Sequence, residues 1–293
     1  MNKYLDYVEL SFDPEKGIAS IRDSLLVILL KWWDTHPLPW SEIDAITQCM
    51  MQMMAFKIRS LEVALEGIAL YPKGGLQTKY VDFTTVASIV RGIYEMAFIY
   101  HNIFVSSDNE DERDILLNIW KIKGYNNRNK IPIPDEMVSL KLKNDETVET
   151  IKNRIKAIIH RMDITPSALK NIEKIISKGN NLKGYKFLKV KSKIIEIQQI
   201  DFSDANSFMN SGCLDGTYTF LSYQSHPSFL GVEQFGKTDP QQYFEDKFNF
   251  MMPACFCASK FTNDACNILS DGNNIKKEKV PDFRATINFF SGF

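Results

Sequence analysis

Two side chains four residues apart carry the first chemistry that the sequence suggests. Arg91 and Glu95 stand in SIVRGIYEMAFIYHNIF (88–104), where a helix would place the guanidinium and the carboxylate on one face as an ion pair. His226 stands far downstream in YTFLSYQSHPSFLG (218–231), immediately before a proline. A histidine moves protons near neutral pH, and an arginine stabilises phosphoryl charge without a metal ion. We therefore take Arg91, Glu95 and His226 as the candidate catalytic residues.

The segment around that histidine supplies further polar side chains. Tyr218, Ser222 and Ser225 are spaced i, i+4 and i+7, which places them on one face of a helix with His226 at its edge. Pro227 biases His226 away from helical geometry, so we expect the helix to end there. The helix dipole favours a cationic imidazole at that end. We treat Tyr218, Ser222 and Ser225 as ligand-binding candidates; the alternative is that His226 only terminates a helix.

The charge of the chain is unevenly distributed. Residues 150–193 contain twelve Lys or Arg against two acids, a net +10 in a chain whose formal net charge is -1. Such a segment favours an anionic partner, and its aromatic and basic part GYKFLKVKSK (184–193) is consistent with nucleic-acid binding. Arg154 and His160, in RIKAIIH, lie inside the segment and form an alternative catalytic pair. A solvated basic helix explains the same residues without any binding function.

The elements that must position these side chains are helices. Apolar periodicity and helix-end signals predict helices at 14–33, 41–71, 78–104, 111–122, 145–161, 166–178, 205–226 and 240–270, the last with a kink at Pro253. Only 186–202 alternates in a way that fits a short β-hairpin as well as a helix. We predict an all-α protein, a multi-helix bundle with long central helices.

Two of the predicted helices carry narrow polar stripes on otherwise apolar surfaces. On a helical wheel, the stripe of the 78–104 helix lies within about 60° and that of the 41–71 helix within about 80°. The first consists of Thr84, Ser88, Arg91, Glu95 and Asn102, and the second of Asp44, Gln48, Gln52, Arg59, Glu62 and Glu66. These stripes either face water side by side or meet and enclose a polar pocket.

The composition restricts the class of protein. With 44% apolar and 24% charged residues in 293 positions, the chain is typical of a globular protein and not of a disordered one. We predict a single helical domain over 1–293, with a core at 40–235 and a C-terminal helical extension at 236–293.

The cysteines and the N-terminal region predict a reduced, cytoplasmic setting. Five cysteines are an odd number, and the N-terminal stretch is acidic where a secretion signal needs positive charge. The longest early apolar run, Leu25 to Leu30, is too short to cross a bilayer, so we expect no membrane partner. We expect no metal and no cofactor, since the Cys255 and Cys257 pair lacks the usual ligand spacing. A homodimer is a candidate assembly.

Three segments stand in a recognisable order: the 88–104 segment, IWKIKGYNNR (119–128) and YTFLSYQSHPSFLGVEQF (218–235). The first contains an R-x-x-x-E pattern and the third Y-x-x-L-S-x-x-x-H-P-S. Together they resemble an uncharacterised all-helical bacterial family, a domain of unknown function, over most of 40–235. The resemblance implies a helical fold and a shared polar site, but no reaction. We add Tyr94 and Arg128 from the first two segments to the ligand-binding candidates.

Arg154 and His160 carry a second, weaker resemblance. Their spacing satisfies R-x(4 to 6)-H, which is similar to the motif of the HEPN superfamily, helical bundles that include metal-independent ribonucleases. The motif usually has a polar residue after the arginine, where this chain has Ile155. The resemblance implies a ribonuclease, a toxin or a phage-defence component.

The sequence therefore leaves two classes of function open. In one, Arg91, Glu95 and His226 form a polar cluster that binds a small ligand or partner, or that only fixes the register of the bundle. In the other, the protein cleaves RNA by general acid–base catalysis, through His226 with Arg91 or through Arg154 with His160. The distance from His226 to Arg91 and Glu95 is the observation that discriminates best.

Overall fold

A computed structural model describes residues 14–70, 78–132, 134, 138–178, 184–204, 214–226, 228–229, 232–233 and 243–279. The described residues form nine helices and two pairs of short antiparallel strands, so the all-α prediction is confirmed. The elements in chain order are α1 (Pro14–Thr35), α2 (Glu42–Glu66), β1 (Ile68–Leu70), β2 (Thr78–Tyr80), α3 (Phe83–Phe104), α4 (Glu110–Arg128), α5 (Val138–Ile159), α6 (Pro166–Lys178), β3 (Gly184–Val190), β4 (Lys193–Ile200), α7 (Thr217–Ser225), α8 (Tyr243–Ile268) and α9 (Gly272–Lys279).

The chain divides into two compact units. Unit 1 comprises Met1–Tyr100 and Ser203–Phe293, and unit 2 comprises His101–Phe202. The boundary therefore falls inside α3, between Tyr100 and His101. The single domain over 1–293, with its core at 40–235 and extension at 236–293, stays a prediction. Within the described part of the chain, no helix is long and apolar enough to cross a membrane.

Unit 1 is built on three packed helices, α1, α2 and α8. Their apolar residues recur at three- and four-residue spacing and so form continuous faces that are removed from water. The buried faces include Ile21, Leu25, Ile28 and Trp32 of α1, Met51, Met54, Ile58 and Leu61 of α2, and Ala254, Ala258 and Phe261 of α8. A buried hydrogen bond of 2.9 Å between the hydroxyls of Thr47 and Tyr100 links α2 to α3.

Local signals determine where the helices of unit 1 begin and end. Ser41 caps α2 as expected, because its Oγ accepts a hydrogen bond of 3.0 Å from the Asp44 amide. However, α2 ends at Glu66, five residues before the predicted end, because Gly67 takes a φ of 79° and a strand follows.

The start of α3 also differs from the prediction. The helix begins at Phe83 and not at residue 78, because the Asp82 carboxylate accepts hydrogen bonds from the amide and hydroxyl of Thr84 and of Thr85. Burial raises the pKa of this carboxyl, but these hydrogen bonds outweigh burial, so its pKa lies below the ordinary value. Asp82 thus satisfies amides that would otherwise be unpaired at the helix start.

Unit 2 packs α4, α5 and α6 against a hairpin. Its core is rich in isoleucine and includes Ile115, Ile119, Ile122, Ile155, Ile158, Ile172, Tyr185 and Ile197. Strands β3 and β4 pair in antiparallel register, with Gly184 opposite Ile200 and Val190 opposite Lys193. Both turn residues, Lys191 and Ser192, have positive φ, as tight two-residue hairpin turns require. Of the two alternatives that the sequence leaves open at 186–202, a hairpin or a helix, the structure has the hairpin.

Candidate functional site

The polar stripe of α3 meets α7 in unit 1 through the guanidinium of Arg91. Arg91 Nε donates to Glu95 Oε1 at 2.8 Å along the same helix. Its Nη2 donates to the hydroxyl of Tyr218 at 3.1 Å, and its Nη1 reaches Ser225 Oγ at 3.4 Å and His226 Nε2 at 2.9 Å. These five residues are called the Arg91 cluster below.

The Arg91 cluster uses nearly the whole hydrogen-bonding capacity of the guanidinium. An arginine has five N–H donors, and four of those on Arg91 point at atoms of the cluster. Burial lowers the pKa of Arg91, but the hydrogen bond and charge of Glu95 outweigh it, so the pKa lies above its ordinary value. Arg91 is thus a fully charged group that joins two helices.

His226 follows the end of α7 as predicted, and its contact with Arg91 determines which nitrogen carries the proton. An arginine only donates, so Nε2 of His226 must accept, which requires the neutral ring with its proton on Nδ1. The His226 side chain is exposed. Nδ1–H is therefore the donor that this residue has left for a ligand.

The two tyrosines of the site lie against each other. The ring centroids of Tyr94 and Tyr218 are 5.5 Å apart, and Tyr94 is completely buried. The Tyr218 hydroxyl donates to Glu95 Oε1 at 3.1 Å. Burial, followed by the charge of Glu95, raises the pKa of Tyr218, and burial raises that of Tyr94. Both phenols are therefore neutral donors at physiological pH, and Tyr94 supports the site from behind.

The remaining ligand-binding candidates are placed differently. Ser225 belongs to the Arg91 cluster, whereas Ser222 contributes its backbone carbonyl, which accepts from Ser225 Oγ at 3.3 Å. Arg128 is an exposed residue at the end of α4, in unit 2, and so belongs to a different unit from the Arg91 cluster.

The alternative catalytic pair, Arg154 and His160, lies in unit 2. Arg154 Nη2 donates to Asp114 Oδ2 at 2.8 Å, and His160 is exposed in the turn after α5. Within the described residues, no hydrogen bond joins the two side chains. Arg154 is thus engaged by a carboxylate of α4.

The basic segment 150–193 faces acids from the start of α4. Arg161 pairs with Asp111, and Lys189 Nζ lies 2.5 Å from both Asp108 Oδ2 and Glu112 Oε1. The Arg161 guanidinium holds the pKa of Asp111 below its ordinary value. Part of the net +10 is therefore neutralised inside unit 2.

Unit 2 also contains a polar cluster that the sequence did not predict. Asn102 Nδ2 donates to the Tyr185 carbonyl at 2.7 Å, and the Tyr185 amide donates to Asn102 Oδ1 at 3.0 Å. Lys123 Nζ donates to the Tyr185 hydroxyl at 2.6 Å. All three residues are buried, and we call them the Tyr185 cluster. The cluster forms because β3 lies against α3, which is distant in sequence, and the periodicity of the sequence does not reveal such a contact.

The polar stripe of α2 lines a cavity of its own in unit 1. The cavity has a volume of about 230 Å³, and its lining includes Glu15, Arg59, Glu62, Glu66 and Lys247. Glu62 pairs with Arg22 and with Arg59, and Lys247 pairs with Glu15. The acids that line it are therefore largely paired with cations of the same chain.

Thiols and metals add no further site within the described residues. Cys255, Cys257 and Cys266 are buried on α8 and Cys49 is exposed on α2, and none of these four is joined in a disulfide. Burial raises the pKa of Cys266 to about 12, which keeps the thiol protonated. No group of three His, Cys, Asp or Glu among these residues is arranged to hold a metal ion.

No protein-family model matches the chain, and neither the curated proteins nor the solved structures include a match.

Proposed function

We propose that the protein is a binding protein, and that the Arg91 cluster holds a small polar ligand at the surface of unit 1. The observation that carries the proposal is that the guanidinium of Arg91 is held by hydrogen bonds within the protein. Four of its five donors are committed to the protein, so Arg91 acts as a rigid hub and not as a group that is free to follow a reacting phosphate.

The proposal is supported by what the cluster leaves open. Arg91 and Glu95 keep 25% and 33% of their side chains exposed, and the His226 ring is exposed beside them. Glu95 Oε2 accepts no hydrogen bond from the described residues, and one donor of Arg91 Nη2 is uncommitted. A preorganised group with uncommitted donors and an uncommitted acceptor is what a binding site requires.

The test uses histidine and arginine side chains labelled with ¹⁵N in the full chain. Acetate, glycine, inorganic phosphate and uridine are each titrated, and the ring signals of His226 and the Nε signal of Arg91 are followed by NMR. We expect at least one saturable shift that Arg91→Met removes and that Lys170→Met, at an exposed lysine of α6, retains. No saturable shift with any of the four compounds would overturn the proposal and leave the cluster a purely structural one.

The ribonuclease hypothesis stays a prediction. A labelled single-stranded RNA incubated with the protein measures it directly, with His226→Ala and His160→Ala as separate variants. Cleavage that His226→Ala abolishes would replace binding by catalysis at the Arg91 cluster. Cleavage that only His160→Ala abolishes would assign the activity to unit 2.

A cytoplasmic location is also part of the proposal. It is supported by Cys255, Cys257 and Cys266, which form no disulfide, since cysteines stay reduced in that compartment. Fractionation of the producing cells, followed by detection of the protein, tests it.

A further inference from the structure

Gly92 leaves a gap in the surface of α3, and the ammonium group of Lys57 from α2 lies in it. A Cβ atom added to Gly92 would come within 2.6 Å of Lys57 Nζ and 3.4 Å of its Cε. Gly92 is the only glycine among the 22 residues of α3, at an interior position where glycine weakens a helix relative to alanine. The residue that weakens the helix is thus the one that admits the lysine.

Lys57 is a half-buried cation that lacks a protein partner among the described residues. No carboxylate oxygen of these residues lies within 4.0 Å of its Nζ, and it makes no hydrogen bond with them. Other partly buried lysines of the chain are paired: Lys189 with Asp108 and Glu112, and Lys260 with Asp264. The Lys57 side chain is half-buried, and an oxyanion that pairs with its ammonium group would supply the missing partner.

The position of Lys57 borders the Arg91 cluster. Gly92 precedes Glu95 by three residues, and side chains at that spacing begin about 5–6 Å apart on a helix surface. Tyr218, from α7, contacts Glu95 through Oε1. On the wheel of α3, Arg91, Glu95 and Gly92 follow one another within 100°. Gly92 and Glu95 are therefore neighbouring positions on the surface of α3, and the Lys57 ammonium lies against the first of them.

We infer that Lys57 is a binding residue of this site and that the ligand carries an oxyanion, a phosphate or a carboxylate. This inference rests on the proposed function and names its ligand class. Arg91 is paired with Glu95, whereas no carboxylate of the described residues pairs with Lys57, so the ammonium group of Lys57 is the charge left for an anionic ligand. An ammonium group offers three donors to an oxyanion without a fixed geometry, and His226 Nδ1–H offers another. A carboxylate or phosphate on a small molecule or on a larger partner would supply the same chemistry.

The experiment compares Lys57→Met with Gly92→Ala in the full chain. The methionine removes the charge but keeps the unbranched stem, whereas the alanine keeps the charge and puts a methyl group where the ammonium lies. Lys170→Met, at an exposed lysine of α6 in unit 2, is the matched control. Thermal melting establishes that each variant is folded, and Lys57→Met alone decides the question if Gly92→Ala fails to fold.

The probes are inorganic phosphate and acetate, titrated separately at constant ionic strength and followed by the His226 and Arg91 NMR signals. We expect Lys57→Met to weaken binding of the better probe by about tenfold or more, as the loss of a charged hydrogen bond does. Gly92→Ala displaces only the flexible end of Lys57, so it weakens binding less than Lys57→Met does, and Lys170→Met changes it less than about twofold. The preferred probe identifies the oxyanion.

Three other outcomes distinguish a failure of the Lys57 inference from a failure of the proposed binding site. If the probe binds Lys57→Met as tightly as the parent and Arg91→Met abolishes binding, the role of Lys57 is overturned while the binding site stands. If uridine binds the parent and none of the three probes that carry a phosphate or carboxylate does, the ligand class is overturned. If none of the four compounds binds the parent, both proposals fall together.

Discussion

The Arg91 cluster and the Tyr185 cluster use the same kinds of contact in opposite surroundings. Both join a helix to a distant segment through one polar side chain that makes several hydrogen bonds. Asn102 and Tyr185 are only 7% and 6% exposed, whereas Arg91 and Glu95 keep a quarter to a third of their side chains in water. The buried cluster has little access to water, but the half-exposed one is able to exchange a partner for a ligand.

Stability and binding depend on different clusters in this molecule. A buried donor or acceptor that loses its partner has no water to replace it, so the Tyr185 cluster holds unit 2 together. A half-exposed group is rehydrated when a contact breaks, so the Arg91 cluster contributes less to stability and is free to serve binding. The following substitutions measure that difference.

The largest effect is expected for Asn102→Ala. The substitution leaves the buried amide and carbonyl of Tyr185 without partners, which we expect to lower the free energy of unfolding by about 2–4 kcal/mol. Urea unfolding of the variant measures it. Ser106→Ala, at an exposed residue one turn further, is the control and should change stability by less than about 1 kcal/mol. Equal losses of stability in the two variants would contradict the stabilising role of the Tyr185 cluster.

A smaller loss is expected for Arg91→Met. The methionine keeps the apolar stem but removes the contacts to Glu95, Tyr218 and His226, and water compensates in part. We expect the free energy of unfolding to fall by about 1–2 kcal/mol, measured by the same urea titration. A loss as large as that of Asn102→Ala would remove the distinction between the two clusters.

The dependence of stability on alkaline pH measures the contribution of the Tyr218 hydroxyl to the Arg91 cluster. Burial and the charge of Glu95 raise the pKa of Tyr218 above its ordinary value of 10.0, so the folded protein holds this proton when the unfolded chain has begun to lose it. The resulting stability is complete below about pH 10 and is lost as pH rises through the folded pKa. We expect stability to fall less steeply above pH 10 in Tyr218→Phe than in the parent.

The measurement is urea unfolding at several pH values between about 8 and 11.5. At neutral pH, Tyr218→Phe should lower stability by only about 0.5–1 kcal/mol, since it removes one half-exposed hydroxyl. Other tyrosines with raised pKa, such as Tyr185, are present in both proteins and give a common background. Parallel pH profiles would show that Tyr218 does not titrate as proposed.

The smallest effect is expected at the surface of unit 2. Arg154 is 53% exposed in its ion pair with Asp114, so Arg154→Ala should cost less than about 0.5 kcal/mol. Thermal melting at low and at high salt checks this, and the difference between parent and variant should shrink as salt rises. A loss above 1 kcal/mol would show that the surface pairs of unit 2 stabilise it as its buried cluster does.

Much of the fold could be predicted because the signals are local. Thr165 and Pro166 mark the start of α6, and the structure has that helix at Pro166–Lys178, as predicted. The start of α2 at Ser41 follows from the same kind of signal. The ends that differ depend on single residues, since Gly67 terminates α2 early and Asp82 delays α3. Strands β1 and β2 were not predicted, because three residues carry too little pattern.

The candidate site was predictable only where spacing carries the information. The spacing in 88–104 and 218–231 identified Arg91, Glu95, Tyr218 and Ser225, together with His226, and the structure brings these five together. Asn102 was recognised as a member of the polar stripe, but its partner Tyr185 lies 83 residues away and no periodicity connects them.

Lys57 escaped prediction for a different reason. A lysine on a long helix is normally solvated, and only the folded structure shows that Lys57 lies against Gly92. Ser222 was selected by its spacing, but its side chain makes no hydrogen bond to the Arg91 cluster. Arg128 was selected by resemblance and belongs to unit 2.

Helix α7 buries few apolar residues, and this affects the local stability of unit 1. Leu221 is the only buried residue among the nine of this helix, and ring contacts to Tyr94 and Phe250 add to it. Segments with little buried surface open locally at a lower free energy than the whole domain. The amides of α7 should therefore exchange with deuterium sooner than those of α2 or α8, and sooner still in Arg91→Met. The exchange rate of one short helix thus reports how firmly the Arg91 cluster is assembled.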